Sequence, residues 1–320
     1  MGTEGPEQTA TRHLEHPALV YDSLDEFLDH MVPFVAEGVA RGEPVVAAVG
    51  SEELAALRSA FGPNRPGLTL ADTWEWHPST ASRLRAFYEL AERDLADGAR
   101  TVRLVGEPAW PAGPPEMVVE WQRYESVLNE VLGPFPVTLV CTYPAARLDP
   151  AVAASARRTH PVVAGGDGRP SSDFLDPAEF LEQVNPDLTP PPPWATQVEI
   201  PAELRATRHF LEAQALEAGL GPERATDLCI AANEVLTNTF VHADGPVAVS
   251  TWTEEGRFLC QIEDVGEGVG DPLAGYRPPS GLFEAGRGLW IARQLVDLLQ
   301  IVPGPTGTKF RLHVRRPLAA

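Results

Sequence analysis

Apolar positions in the first half of the chain fall into two alternating kinds of run. Short continuous ones, HPALVYDS (16–23), PVVAAVG (44–50), LTLADT (68–73), TVRLVGE (101–107) and PVTLVCTYP (136–144), read as buried strands. Between them the apolar positions take helical spacing. LDEFLDHMVPFVAEGVARG (24–42) sets Leu24, Phe27, Leu28, Met31 and Val35 on one face. SEELAALRSAFG, STASRLRAFYELAERDLADG and PEMVVEWQRYESVLNEVLG continue the alternation as helices. Ser23-x-x-Glu26 predicts a capping box, Ser51 an N-cap, and Gly42 and Gly62 helix ends, with PVTLVCTYP as the last strand. Continuous strands separated by helices predict an α/β domain, a parallel sheet covered on both faces.

The pattern then breaks. AGGDGRPSSD (164–173) is flexible in composition, Asp176-Pro177 opens a short helix through Glu182, and PDLTPPPPW reads as a semi-rigid polyproline spacer. These features divide the chain into a domain at 1–164, a linker at 165–195 and a second domain at 196–320. In the latter, RATRHFLEAQALEAGL (205–220) and the segment through ANEVLTNTFVH are helical. PVAVSTWT (246–253) and FLCQIEDVG (258–266) form a hairpin around EEG. EAGRGLWIARQLVDLL (284–299) is an amphipathic helix, and strands around LQIVPG and GTKFRLHV (307–314) meet at Pro305-Thr306-Gly307.

Chemistry concentrates in this second domain. Glu234, Asn238 and His242 stand four apart, one helical turn after another on one face. An amide oxygen can bind a hard cation such as Mg²⁺, and a carboxylate can take a proton from a hydroxyl. Alone, that spacing is most simply a solvated polar stripe. Downstream, Asp264 ends a strand and is followed by the alternate glycines Gly266, Gly268 and Gly270, which let backbone approach a ligand. Gly286-Arg287-Gly288 then opens a helix whose free N–H groups suit phosphate.

In this order and spacing, residues 197–315 resemble the ATP-binding module of the GHKL superfamily, which includes gyrase, Hsp90, histidine kinases and MutL. Glu234 to His242 match its N box, Asp264-x-Gly266-x-Gly268 and Gly286-x-Gly288-Leu289 its glycine boxes, and Gly307-Thr308 its last. Within the superfamily the segment is most similar to bacterial anti-sigma-factor serine/threonine kinases. The resemblance implies an α+β two-layer (Bergerat) sandwich that binds ATP and Mg²⁺. It implies Asn238 as the Mg²⁺ ligand, Asp264 as reader of the adenine amine, and Gly268 beneath the nucleotide. Gly286, Arg287, Gly288 and Leu289 would close over the phosphates. Glu234 would be the general base toward a seryl or threonyl hydroxyl, or toward water in an ATPase. His242 reads first as packing at the helix end.

The implied partners are a sigma factor and a STAS-domain anti-anti-sigma protein, and a homodimer is compatible with the resemblance. A histidine autokinase is disfavoured. His209 belongs to the module's own helix, His160 precedes Pro161, and the upstream prolines leave no paired dimerisation helix. A binding switch without phosphotransfer and an ATPase both remain open.

The net charge of −20 argues against nucleic acid as a partner. With no long apolar run and no signal-peptide core, a cytoplasmic bacterial protein is expected, without membrane contact. Cys141, Cys229 and Cys260 have no metal-binding spacing and read as reduced, buried thiols. Lys309 is the only lysine, so the first domain has no P-loop lysine, and Ser-Glu-Glu after PVVAAVG would repel phosphate.

The first domain, through HPALVY, VRLVGEPAW, WQRYESVLNEVL, VTLVCTYP and THPVV, resembles the MEDS sensory domain, thought to be related to the RecA-like fold. His16, Glu107, Glu125, Cys141 and His160 are the polar or reactive residues in those stretches. Taken singly, each reads as a core or turn residue before it reads as a site.

Overall fold

The computed structural model describes residues 13–316, apart from positions 78, 109–113, 165–168, 186–187, 201–203, 243–244, 246, 255, 267, 280–285 and 305. Several expectations fall outside the described residues: the turn positions Glu255 and Pro305, the first residues of the 284–299 helix, parts of the linker, and the side chain of His242. By contacts, the chain divides into the units Met1–Phe180 and Leu181–Ala320.

The first unit alternates strand and helix: β1 (Pro17–Tyr21), α1 (Leu24–Arg41), β2 (Val45–Val49), α2 (Ser51–Phe61), β3 (Leu68–Asp72), α3 (Thr80–Ala96), β4 (Val102–Gly106), α4 (Pro115–Val131), β5 (Val137–Pro144) and α5 (Pro150–Thr159). Two further strands, β6 (Val162–Ala164) and β7 (Arg169–Pro170), follow the one expected to be last, and α6 (Pro177–Gln183) ends this region. The sheet order is β3-β2-β4-β5-β1-β6-β7, parallel except for the antiparallel β6–β7 pair. β6 escaped the sequence pattern because it is three residues long and takes its register from β1, far back in the chain. β2 and β4 are buried at every position, as strands covered on both faces must be.

The helix ends follow local chemistry with two departures. Ser23 Oγ accepts the Glu26 N–H at 3.3 Å, but the Glu26 carboxylate returns to the Asp22 N–H at 2.9 Å rather than to the cap itself. Ser51, expected as an N-cap, is instead the first residue of α2 and Gly50 is the cap. The Ser51 hydroxyl is drawn away to Asp72 Oδ2 at 2.8 Å. A Cβ at Gly50 would lie 2.7 Å from the Glu53 carboxylate, so glycine is the residue that fits. Gly42 ends α1 in the left-handed region at φ 70°.

The second unit contains β8 (Thr196–Ile200), α7 (Leu204–Glu217), α8 (Pro222–His242), β9 (Val247–Glu254), β10 (Arg257–Glu263), α9 (Arg287–Leu295), β11 (Leu298–Gly304) and β12 (Gly307–Arg315). Its sheet, β11-β12-β10-β9-β8, is antiparallel throughout. One apolar core joins Leu211 of α7, Leu228, Val235 and Leu236 of α8 and Leu289 of α9 to Val249, Ile262, Phe310 and Leu312 of the sheet. This is a two-layer α+β sandwich.

The helix expected over 284–299 stops at Leu295. Apolar periodicity cannot separate its last turn from a strand, and long-range bonds decide. The Asp297 N–H donates to His313 O at 3.0 Å, and its carboxylate accepts from Arg224 at 2.7 Å and from the Arg315 backbone N–H and Nε at 2.8 Å. Leu298 then pairs with His313 as the first residue of β11.

Candidate functional site

α8 is a continuous helix, so Glu234 and Asn238 share a face one turn apart. Asn238 lines a cavity of about 380 Å³ together with Asp264, Gly268, Gly286, Leu289 and Thr308. That volume is in the range of small-molecule sites. Gly270, the last of the alternate glycines, also lines the cavity, and the segment around it adds Val269, Leu273, Ala274 and Gly275, residues with no sequence motif, to the wall. Their signal was faint: an Asp-Pro turn followed by small residues.

The floor is built by backbone and one carboxylate. Asp264 Oδ1 accepts the Thr308 N–H at 2.6 Å, and the Asp264 N–H donates to Thr308 O at 3.1 Å. Thr308 Oγ1 in turn accepts the Val269 N–H at 3.0 Å. Gly268, at φ 79°, carries the chain between these anchors in a conformation that side chains resist. One carboxylate oxygen of Asp264 is thus held by the fold, and the residue lines the cavity.

Gly286 caps α9 in the left-handed region at φ 90° with no side-chain cap, and so the first turn of the helix opens at the cavity that Gly286 and Leu289 line. A Cβ on Gly275 would come within 3.0 Å of Leu289, so the wall and the start of α9 touch closely. The Arg293 guanidinium lies 3.7 Å from the Tyr276 ring centroid, holding the same two segments together further along.

Four expected site residues are outside the cavity lining: Glu234, Gly266, Arg287 and Gly288. A Cβ on Gly288 would sit 2.8 Å from Glu234 Oε2, so this glycine and the carboxylate abut. The Gly266 N–H is bonded to Thr306 O at 3.2 Å and holds the loop to the strand turn. Arg287 is the first residue of α9. Lys309 follows Thr308 as an exposed residue opposite Glu263 and Val302.

In the first unit Glu107 stands apart from the other four candidates, at the carboxyl ends of the strands. Its Oε2 accepts the Gly50 N–H at 3.1 Å, and Arg147 lies 3.7 Å from its Oε1. Arg147 also contacts the buried Glu53, whose Oε1 accepts the Tyr21 hydroxyl at 2.8 Å. Burial, then the Glu53 carboxylate, push the Glu107 pKa up to about 7 from an ordinary 4.5, against the Gly50 N–H and Arg147, with Asp72 adding to the rise.

Because the folded value is the higher one, the folded state holds the extra proton between those two pH values. The stabilisation is full below the unfolded pKa and is lost as pH rises through about 7. Glu107→Gln should therefore flatten the pH dependence of unfolding across this window. At pH 8 it should unfold at higher temperature than wild type, a gain of about 1–3 kcal/mol. Thermal unfolding at several pH values reads this directly, and an unaltered slope would assign the dependence to other groups.

Comparison with known families matches residues 15–161 to the methanogen/methylotroph, DcmR sensory (MEDS) domain, and residues 199–314 to the histidine kinase-like ATPase domain. Among solved structures, the RsbU and RsbW domains of Rv1364c from Mycobacterium tuberculosis align over 39% of this chain and 34% of that one, at 21% identity and a TM-score of 0.30. The histidine kinase domain of the E. coli osmosensor EnvZ aligns over 39% of this chain and 90% of its own, at 19% identity and a TM-score of 0.25. Among curated proteins, none matched. No helix among the described residues is long and apolar enough to cross a membrane.

Proposed function

Because the chain joins a MEDS domain to a histidine kinase-like ATPase domain of GHKL type, we propose that it is a regulator that binds ATP with Mg²⁺ and phosphorylates a seryl or threonyl hydroxyl. The partner in this reading is a STAS-domain anti-anti-sigma protein, and the first domain controls the second. One observation carries the nucleotide part: Asn238, Asp264, Gly268, Gly286 and Thr308, drawn from four separate segments, line one cavity.

The residues fit the groups. Asp264 Oδ2 would accept the adenine amine while Thr308 holds the other oxygen, and the first turn of α9 would donate N–H groups to phosphate. Asn238 would hold Mg²⁺ through its side-chain oxygen. When bound, the ion supplies charge neutralisation at the phosphates. Glu234 would take the proton of the attacking hydroxyl as its oxygen bonds to the γ-phosphorus and the bond to the leaving ADP oxygen breaks.

A second reading, a nucleotide-dependent binding switch without transfer, draws support from Glu234 lying against Gly288 outside the cavity lining. Transfer of labelled phosphate from ATP to STAS proteins of the host separates the two. If no partner is labelled, yet nucleotide changes sigma-factor or STAS binding, the switch reading replaces the kinase.

Asp264→Asn tests the nucleotide site itself. The amide can keep the Thr308 N–H satisfied only by turning its NH₂ toward the cavity, donor against donor. Calorimetry should find ATP and ADP affinity lower by about 1–3 kcal/mol. Equal affinity in the variant would remove Asp264 as the adenine-reading group.

A further inference from the structure

Four of the five candidates in the first unit meet in its core. His16 precedes β1, Glu125 lies on α4, Cys141 on β5, and His160 directly follows α5. Their ligand atoms all lie within 4.8 Å of one another, and all four residues are buried. His160 Nε2 is 3.1 Å from Glu125 Oε2, His16 Nε2 is 3.3 Å from Cys141 Sγ, and His16 Nε2 is 4.0 Å from Glu125 Oε2.

The surrounding hydrogen bonds fix which ring nitrogens carry protons. Asn129 Nδ2 donates to Ser126 O at 3.0 Å and Thr159 O at 2.8 Å, so its Oδ1 must accept, and the partner 3.0 Å away is His16 Nδ1 as donor. The Thr159 hydroxyl spends its proton on Ser155 O at 3.1 Å. Its oxygen and Ala156 O therefore face His160 Nδ1 as acceptors, at 2.9 and 3.0 Å. Both Nδ1 atoms are thus protonated, and both Nε2 atoms present lone pairs to the centre of the cluster. Outer-shell bonds of this kind orient metal-binding histidines. Burial keeps both imidazoles neutral, their pKa values pushed down to about 3.

The centre lacks something. His160 Nε2 and Glu125 Oε2 face each other at 3.1 Å without hydrogen-bond geometry, and neither of these two atoms has a hydrogen-bonded partner, although the Glu125 carboxyl also interacts with the Cys141 thiol and the Tyr143 hydroxyl. Two lone pairs opposed in a dry interior are costly unless a shared proton or a metal cation lies between them, and the cation is the choice that also engages His16 and Cys141.

We propose that His16, Glu125, Cys141 and His160 bind one divalent transition-metal ion of the zinc class. The donor set is two imidazoles, a thiolate and a carboxylate, a borderline-soft combination unsuited to Mg²⁺ or Ca²⁺. Bonds of about 2.0–2.3 Å place tetrahedral donor atoms roughly 3.3–3.8 Å apart, which small side-chain movements reach from the distances here. Thiolate and carboxylate together cancel the charge of a divalent ion, so the two donors and the ion add no net charge to the core. With four protein ligands the site is closed, of the structural rather than the open catalytic kind.

The test uses the full chain, reduced, stripped with chelator and titrated with Co²⁺, both after folding and during refolding. The expected result is about one ion per chain, with a thiolate-to-cobalt charge-transfer band and the visible bands of a tetrahedral site, both removed by Zn²⁺. Cys141→Ser should abolish the charge-transfer band and weaken Zn²⁺ binding by more than about 100-fold, beyond the loss typical of outer-shell changes. Cys229→Ser, in the second unit, should leave the band in place. Should Cys141→Ser fail to fold, the wild-type spectrum still decides. Absence of a thiolate band in wild type, or its survival in folded Cys141→Ser, overturns the proposal and leaves a Glu125–His160 pair sharing a proton.

Discussion

Glu234→Ala should leave ATP binding near wild type and lower phosphoryl transfer to a STAS partner by about 10²–10⁴-fold, the range expected for loss of a general base. The expectation rests on the division of labour along α8. Asn238 lines the cavity and would touch the ion, whereas Glu234 lies one turn back, against Gly288 at the start of α9. Asn238→Ala should therefore lower Mg²⁺-dependent affinity and transfer together, and Glu234→Ala transfer alone. Affinity and transfer rate, measured in parallel on the same preparations, give the comparison. Transfer by Glu234→Ala as fast as by wild type would end its assignment as base. Gly288→Ala is a useful companion, because its methyl would press on the Glu234 carboxylate without removing it.

Gly307→Ala should be the most damaging small substitution in the second domain. Gly307 has φ 145°, and a Cβ there would lie 2.0 Å from the Asp264 carbonyl oxygen and 2.9 Å from its Oδ1. A backbone carbonyl cannot swing aside as a flexible side chain would. The strand must move, and with it the Thr308 N–H that orients the Asp264 carboxylate. Backbone strain and overpacking together should cost roughly 2–6 kcal/mol of stability. Nucleotide affinity should fall further than in Asp264→Asn, because both the carboxylate and its anchor are displaced. Denaturant unfolding of the second domain and calorimetry with ADP measure the two effects. A variant with wild-type stability would show that β12 can shift without cost, contrary to the packing described.

Much of the candidate site was legible in the sequence because its chemistry is local. Glu234 and Asn238 are set by helical spacing, Asp264 by its glycines, and Gly286 by the helix it opens. Of the wall from Val269 to Gly275 only Gly270 was legible, since the other small residues in a loop carry no periodic signal. The end of α9 was misplaced for a different reason. Leu298 and Leu299 fit a helix or a strand equally, and Asp297 with its arginine partners decides between them.

In the first domain the α/β alternation was plain, but the cluster around His16 was not. The bonds of His16 to Asn129 and Cys141 span 113 and 125 residues, and the strand order β4-β5-β1-β6 brings them together. Each member alone looks like an ordinary buried residue, and Asn129, which fixes the His16 tautomer, carries no motif at all.

The position of Lys309 gives the protein a built-in attachment point. As the only lysine in 320 residues, it presents the sole side-chain amine to an acylating dye. It is exposed, while its neighbour Thr308 is hydrogen-bonded to Asp264. Above about pH 9 the coupling can be directed to this amine with the chain's terminal amine already blocked under milder conditions, where the lower pKa of the latter favours it. A fluorophore there would sit one residue along β12 from Thr308 but on the opposite face of the strand, so it would mark the second domain without entering the cavity.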